Sequence, residues 1–557
     1  MLKKIKDYIG KHPALVAPIL FFAINLIQGI FTPLLNDEPY YWLWSQNPEW
    51  GYFDHPPLIA WIIGLGTLFF ENEIGVRFLS ILCGSLTIYY LYKIIEAETT
   101  DKVNIKLFIL LPASSVFINL YTFIAIPDTP LLFFTTLFLW QFRKYFYNNT
   151  AGNSVILGIV CALLLYSKYH GILVIGLAVL ANYKIMARKS FYLVLVVALL
   201  LFTPHLWWQY SNDFPSIRFH LFEKIGAFKI KNIASYIGEQ LALTGPALLL
   251  LFMVLHRTRN QYQFTLKFVT LGIFLFFLYS SFSGMVNSYW TLAAWPGLII
   301  ISYIYIREVK KYRKLIISTL SFSLLVILLI RINFLFNSYP IPHFNNRNPE
   351  LMAKELSQHT KHPLIFINQF IDPALYLFYQ KETCFAINNL RYKKTQFNYL
   401  PQLEKEVQGK TVTLVSSLPV NETSYLLSIH KGRNYYLTDF SNFKSYQTQW
   451  NVKTKEVDKH ITAGSTFKIP VKIEMKINEN RTETPTDFYL TLNMQNLDNK
   501  NIYSFYQQYE VIPEESFDFI IDTPNDAGTY KYYFSITNDT LSHLRSYNSN
   551  IQHFKIE

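Results

Sequence analysis

The chain has 557 residues, of which 51% are hydrophobic and only 16% charged, against roughly 25% charge in an ordinary soluble domain. One soluble globule is excluded. Its formal charge of +12 suggests an anionic partner such as nucleic acid, yet residues 1–336 hold 27 basic and 15 acidic side chains while residues 337–557 hold 23 of each. The excess charge therefore lies in the apolar part. Cys83, Cys161 and Cys384 are far apart in sequence, which leaves no disulfide framework and no cysteine metal site.

Apolar runs approaching the roughly 20 residues that cross a bilayer lie near 14–35, 76–95, 105–121, 129–142, 154–168, 171–187, 191–206, 236–256, 264–283, 290–306 and 314–336, eleven in all. The first follows the basic start MLKKIKDYIGKH and has no small-residue cleavage site, so it reads as an uncleaved membrane helix. Alternating the crossings from a cytoplasmic N-terminus puts 20 of the 27 basic residues, Lys3, Lys4, Arg143, Lys144, Arg188 and Lys189 among them, at the cytoplasmic face. The opposite loops carry Arg77, Lys168, Arg218, Lys224, Lys229 and Lys231, and Arg331 falls inside the last run. That asymmetry obeys the positive-inside rule and predicts a multi-pass inner-membrane protein whose C-terminal third is periplasmic.

Past residue 336 the composition changes. Residues 337–450 alternate helix-like stretches with short apolar runs such as PLIFIN and TVTLVSS, as in a small α/β unit. Residues 451–557 carry period-two runs, TFKIPVKIEMKI and DFYLTLNMQN, separated by turn residues, and predict an Ig-like β-sandwich. Within it, DAGTY at 526–530 fits a tyrosine corner anchored by Tyr530.

The first external loop, residues 36–61, concentrates acids and rings: Asp37 and Glu38, then Tyr40, Tyr41, Trp42, Trp44, Trp50, Tyr52 and Phe53, then Asp54, His55 and two prolines. An aromatic belt at headgroup level explains the rings but not two acidic clusters and a histidine in so apolar a setting, because carboxylates at a bilayer edge are costly and usually have a task. Asp128, between two prolines in IAIPDTPLLFF, adds an acid on the same side, although Asp128 as a helix cap also fits. Lys168, Tyr169 and His170 in SKYHG, His205, Trp207 and Trp208 in PHLWWQY, Arg218, His220, and Asn287, Tyr289 and Trp290 in VNSYW join it. Carboxylates, histidines, cations and rings at one face suit an anionic, membrane-anchored substrate with a polar headgroup. GKT at 409–411 lacks the first glycine of a phosphate-binding loop, Glu404 standing there, and the C-terminal part has no basic stripe for nucleic acid.

In this order, NDEPYYWLWSQ, YFDHPPLIAW, GVRFLS, IPDTPLLFF, SKYHG and PHLWWQY resemble the C-type (GT-C) glycosyltransferases of bacterial membranes. The similarity is to the branch of protein O-mannosyltransferases and of the aminoarabinose and galacturonic acid transferases that modify lipid A. The resemblance implies an inverting glycosyltransferase that takes a sugar from a polyprenyl-phosphate lipid at the external face and passes it to a glycolipid acceptor such as lipopolysaccharide or lipid A. It also implies roles by position. Asp37, Glu38 and Asp128 would be catalytic; Arg77, Lys168 and His55 would meet the donor phosphate; Tyr40, Tyr41, Trp44, Tyr169, His170 and Trp207 would line the substrate. His55 stands where the aminoarabinose transferases carry a lysine, so a group mostly neutral near pH 7 replaces a fixed cation. A divalent metal held by Asp54 with His55 or His205 is the one cofactor expected. The competing readings are an O-mannosyltransferase-like enzyme acting on secreted proteins and, in another class, a lipid transporter or flippase. Against the transporter, the acids lie in loops at one face and no inverted repeat is visible.

Overall fold

In a computed structural model of the chain, the described residues are 12–35, 37–220, 229–244, 256–306, 310–336, 348–388, 394–429, 433–454, 460–475, 488–509, 516–537 and 548–557. They fall into two compact units, Met1–Asn346 and Arg347–Glu557, so the division comes ten residues after the expected break. The basic start at Lys3 and Lys4, part of the 236–256 run, and Lys224 lie outside the described residues.

The first unit is helical. Its elements are α1 (Pro13–Phe31), α2 (Glu38–Ser45), α3 (Leu58–Thr67), α4 (Glu73–Glu98), α5 (Ile105–Ala113), α6 (Val116–Leu120) and α7 (Asp128–Tyr147). There follow α8 (Ala151–Ser167), α9 (Gly171–Ala181), α10 (Lys189–Ser211), α11 (Ile230–Thr244), α12 (Gln261–Ser280), α13 (Trp295–Ile306) and α14 (Arg313–Phe336). Six segments among the described residues are long and apolar enough to cross a membrane: Pro13–Phe31, Glu73–Glu98, Lys189–Ser211, Gln261–Ser280, Ser288–Ile306 and Arg313–Phe336. This is a multi-pass membrane protein, but its helices do not establish the count of eleven. The run 105–121, for example, is two pieces: the Ser115 hydroxyl accepts a hydrogen bond from the Ile118 amide and caps a new helix inside it. A side-chain oxygen in the middle of an apolar run restarts the helix, as N-caps do.

Burial separates the helices into two kinds. The window of Ser288–Ile306 is 89% buried, whereas those of α10 and α14 are 22% buried. The first is a core helix clad by others. The latter two show most of their apolar surface to lipid, as Leu199, Leu200 and Leu329 illustrate.

The second unit begins with α15 (Pro349–His359), α16 (Ile371–Gln380) and α17 (Pro401–Val407) around a five-stranded sheet. Its strands are β1 (Leu364–Ile367), β2 (Cys384–Ile387), β3 (Val412–Ser416), β4 (Tyr425–Ser428) and β5 (Asn434–Phe440), in the order β2-β1-β3-β5-β4. The first three are parallel and the last two antiparallel, the mixed sheet that alternating β and α runs lead one to expect. Then come β6 (Trp450–Thr454), β7 (His460–Ile461), β8 (Thr466–Met475), β9 (Phe488–Asn496), β10 (Ile502–Tyr509), β11 (Ser516–Asp522), β12 (Gly528–Thr537) and β13 (Gln552–Ile556). They make a five-stranded sheet, β10-β9-β12-β13-β7, and a three-stranded one, β11-β8-β6. Alternation decides which side chains meet: Ile469, Val471 and Ile473 of β8 join Leu490, Leu492 and Phe534 in one buried core. Tyr530 is fully buried and its hydroxyl donates to the Asp526 carbonyl at 2.8 Å, the corner that the DAGTY turn encodes.

Tyr530→Phe keeps the ring and deletes that hydrogen bond, so the sandwich should lose about 1 kcal/mol. Hydrogen exchange of β9 and β12 in the full-length protein should quicken correspondingly, and unchanged protection would show that the corner does not secure the sandwich.

Candidate functional site

Glu38 opens α2 and is fully buried, 39 residues from its partner Arg77, on α4, which is equally buried. Arg77 Nε donates to Glu38 Oε1 at 2.8 Å and one terminal nitrogen to Oε2 at 2.5 Å. The remaining guanidinium hydrogens go to the carbonyls of Gly29 (3.1 Å), Thr32 (2.5 Å) and Pro33 (2.8 Å). Glu38 accepts in addition from the amides of Leu35 (2.7 Å) and Ala125 (2.8 Å). All five guanidinium N–H groups are thus satisfied. Arg77 is not available as a phosphate contact, nor Glu38 as a proton acceptor, and both expectations are corrected. The pair clamps three chain segments: the end of α1, the start of α2 and the turn before α7.

Asp37 precedes Glu38. It occupies the N-cap position of α2, half-buried, but its side chain makes no capping bond; its carbonyl instead takes the Tyr41 amide at 3.0 Å. Its carboxylate stands at the helix entrance without capping the helix. The Ala125 bond to Glu38 positions the second acid, Asp128, three residues further on. Asp128 is buried at the start of α7, and Lys168 Nζ donates to both of its carboxylate oxygens at 2.8 Å. Lys168 also sits 5.2 Å from the Tyr289 ring centroid. Tyr41 is the common neighbour: burial first, then the charges of Asp37, Asp54 and Asp128, raises its phenol pKa well above the usual value. Three acids from three separate motifs thus act on one buried hydroxyl.

The rings of the 36–61 loop pack mainly on one another. Trp44 stacks on Tyr52 (4.5 Å, 17°) and meets Tyr41 and Tyr40 edge-on at 4.8 and 5.2 Å. Tyr40, Tyr41 and Trp44 are buried, so Tyr40 and Trp44 build the loop's own core, and the expectation that they line the substrate is corrected. His55 lies 6.2 Å from Tyr41 and 6.0 Å from His220, ring to ring. The His220 Nε2 donates to the Asp54 carbonyl at 2.9 Å.

His205, on α10, is 1% exposed. Its Nδ1 lies 2.7 Å from the Trp50 carbonyl, which can only accept, so the proton is on Nδ1; Nε2 then accepts from the Tyr169 hydroxyl at 3.0 Å. Gln209 donates to Tyr169 (2.9 Å) and to Ser216 (2.8 Å), and Ser216 donates to the Tyr52 carbonyl (3.0 Å). With both imidazole nitrogens engaged, His205 does not fit as a metal ligand. Among the described residues no three His, Cys, Asp or Glu side chains come together as a metal group. Asp54 and His205 therefore do not form the expected metal pair. Asp54 Oδ1 is buried with no hydrogen-bond partner among the described residues.

His170 packs against Phe277 and Trp290 at 5.0 and 5.8 Å. Trp207 is 68% exposed on the outside of α10, touching Tyr210; one helical position on, Trp208 turns inward and stacks on His205. Trp207 thus faces outward, and Trp208 is the ring that packs on His205. Gly51 makes room for it, since a Cβ there would come within 2.3 Å of the Trp208 ring. Ser216 had no motif to announce it, and within the quoted motifs nothing singled out Gln209; only their hydrogen bonds reveal them.

Residues 54–208 match the family described as dolichyl-phosphate-mannose-protein mannosyltransferase. A lipid A galacturonosyltransferase, RgtD, of Rhizobium johnstonii is 28% identical over 199 residues, 34% of this chain and 41% of that protein. An uncharacterized protein of Aquifex aeolicus is 37% identical over 93 residues, 16% of this chain and 18% of that one. The chain thus spans less than half the length of these relatives. Among solved structures, ArnT of Cupriavidus metallidurans covers 77% of this chain and 98% of its own length, with a TM-score of 0.57 at 14% identity in the apo state. Bound to undecaprenyl phosphate, it gives 0.56 at 13%. At such identities the likeness is one of fold.

Removing either member of the Glu38–Arg77 pair leaves the other charge buried alone, at a cost of about 3–5 kcal/mol. Glu38→Gln and Arg77→Gln should each lower the thermal unfolding midpoint in detergent by several degrees or abolish folded yield. Normal stability with a selectively raised KM for the lipid donor would instead restore Arg77 as a phosphate contact.

Proposed function

We propose that this chain, of the GT-C membrane glycosyltransferase type by family match and fold, moves a sugar from a polyprenyl-phosphate donor to an envelope glycolipid of the lipopolysaccharide or lipid A kind, at the external membrane face. The observation that carries the reading is Asp37: a half-buried carboxylate at the entrance of α2, next to the buried Glu38–Arg77 pair, that makes no capping bond. The undecaprenyl phosphate bound by ArnT and the lipid A substrate in the name of RgtD support the donor and the acceptor class.

In this reading the acceptor hydroxyl attacks the anomeric carbon. A new carbon–oxygen bond forms, the bond to phosphate oxygen breaks with its electron pair leaving on the polyprenyl phosphate, and the proton passes to Asp37. A positioned carboxylate both takes a proton and stabilises oxocarbenium-like charge. Lys168 is paired with Asp128, which holds its ammonium in place, where it counters the charge growing on the leaving phosphate. Tyr41 and Tyr289 flank these groups. His55 and His220 lie ring to ring beside Tyr41 and the Asp54 carbonyl. The cytoplasmic N-terminus and periplasmic second unit follow from the loop charges.

Mass spectrometry of lipid A, polysaccharide and periplasmic proteins from cells with and without this chain should show one sugar increment lost from the lipid fraction alone. The same increment lost from proteins would make the acceptor a secreted protein, and no change in any fraction would contradict sugar transfer.

A further inference from the structure

Arg331 lies in apolar helix α14, five residues before its end, and is 6% exposed. Nε donates to Asn119 Oδ1 at 3.1 Å, and one terminal nitrogen donates to Asn25 Oδ1 (2.6 Å) and the Asn119 carbonyl (2.9 Å). The other terminal nitrogen, Nη1, is buried with no hydrogen-bond partner among the described residues. No carboxylate pairs with Arg331 among the described residues. Glu38 is already bound to Arg77, and the two guanidinium groups stand 5.8 and 5.5 Å from the same Phe123 ring. A cation inside an apolar helix, held only by neutral amides and one carbonyl, lacks the partner that such a group normally has.

We propose that the seam between α1 and α14 binds the phosphate group of a membrane lipid, which supplies the missing counter-charge to Arg331. The fork of N–H groups on a guanidinium matches a phosphate, and a charge-assisted bond is stronger than one to an amide. The helices that form the seam favour a lipid: on their outward faces Ile24, Ile27 and Ile30 of α1 and Leu328, Leu329 and Ile332 of α14 are exposed and apolar, a setting for acyl chains beside the seam. Only 22% of the α14 window is buried, so little packing opposes its moving aside to admit the headgroup. Asn25 and Arg331 both lie in the last two turns of their helices, α1 and α14.

The test uses the purified full-length protein in detergent and follows thermal unfolding with phosphatidic acid, with diacylglycerol and with inorganic phosphate. Phosphatidic acid should raise the midpoint saturably, while diacylglycerol and phosphate alone should not. Asn25→Asp places a carboxylate on the Arg331 fork from within, and Arg331→Gln removes the charge. Each should weaken phosphatidic acid binding at least about 10-fold, the loss expected for a hydrogen bond to a charged group. If Arg331→Gln does not fold, Asn25→Asp decides. An undiminished shift in the folded variants, or an equal shift with diacylglycerol, would overturn the site; an equal shift with inorganic phosphate would overturn the lipid as its ligand.

Discussion

The buried Glu38–Arg77 pair sets the geometry on which the rest of the membrane unit depends. Two opposite charges withdrawn from water are tolerated only when every lone pair and proton finds a partner, and here the carboxylate and guanidinium share two bonds and take five more from the backbone. Those backbone partners belong to residues 29–35 and 125. The pair therefore fixes the chain on both sides of Asp37 and just ahead of Asp128. An acid carried on a mobile loop would present its charge in many places; this one presents it in one.

Around that clamp the candidate site is built of rings. Trp44 on Tyr52, Trp208 on His205 and the Tyr169–Gln209–Ser216 chain tie the 36–61 loop to α10 and the turn after it. Low local dielectric strengthens each charged contact, which is why the buried Lys168–Asp128 pair matters: each charge has the other as its partner. The same economy of charge makes Arg331 conspicuous, as a cation within an apolar helix whose hydrogen-bond partners among the described residues are neutral.

Much of this was legible in the residues. Loop charge and run length announced a multi-pass membrane protein, and the ordered motifs from NDEPYYWLWSQ to PHLWWQY announced the GT-C glycosyltransferase type. DAGTY announced the corner at Tyr530. What stayed hidden was partnership across distance. Glu38 and Arg77 look like functional groups until their hydrogen bonds are seen, because nothing local indicates that residues 39 positions apart use up each other's capacity. Trp207 and Trp208 differ by one helical step, about 100° of rotation, and the pair of letters alone does not say which faces inward. His205 failed as a metal ligand for a similar reason: the Trp50 carbonyl that takes its proton comes from another segment. Ser115, by capping α6, broke a run that hydropathy alone reads as continuous.

The central claim is that the clamp exists to hold the Asp37 carboxylate at the reacting centre, and single-turnover sugar transfer by Asp37→Asn tests it most directly. The substitution keeps size and removes charge where no capping bond is at stake, so the account predicts a protein with unchanged thermal unfolding and donor binding whose transfer rate falls at least about 100-fold. A folded Asp37→Asn protein that transfers sugar at the unaltered rate would contradict it.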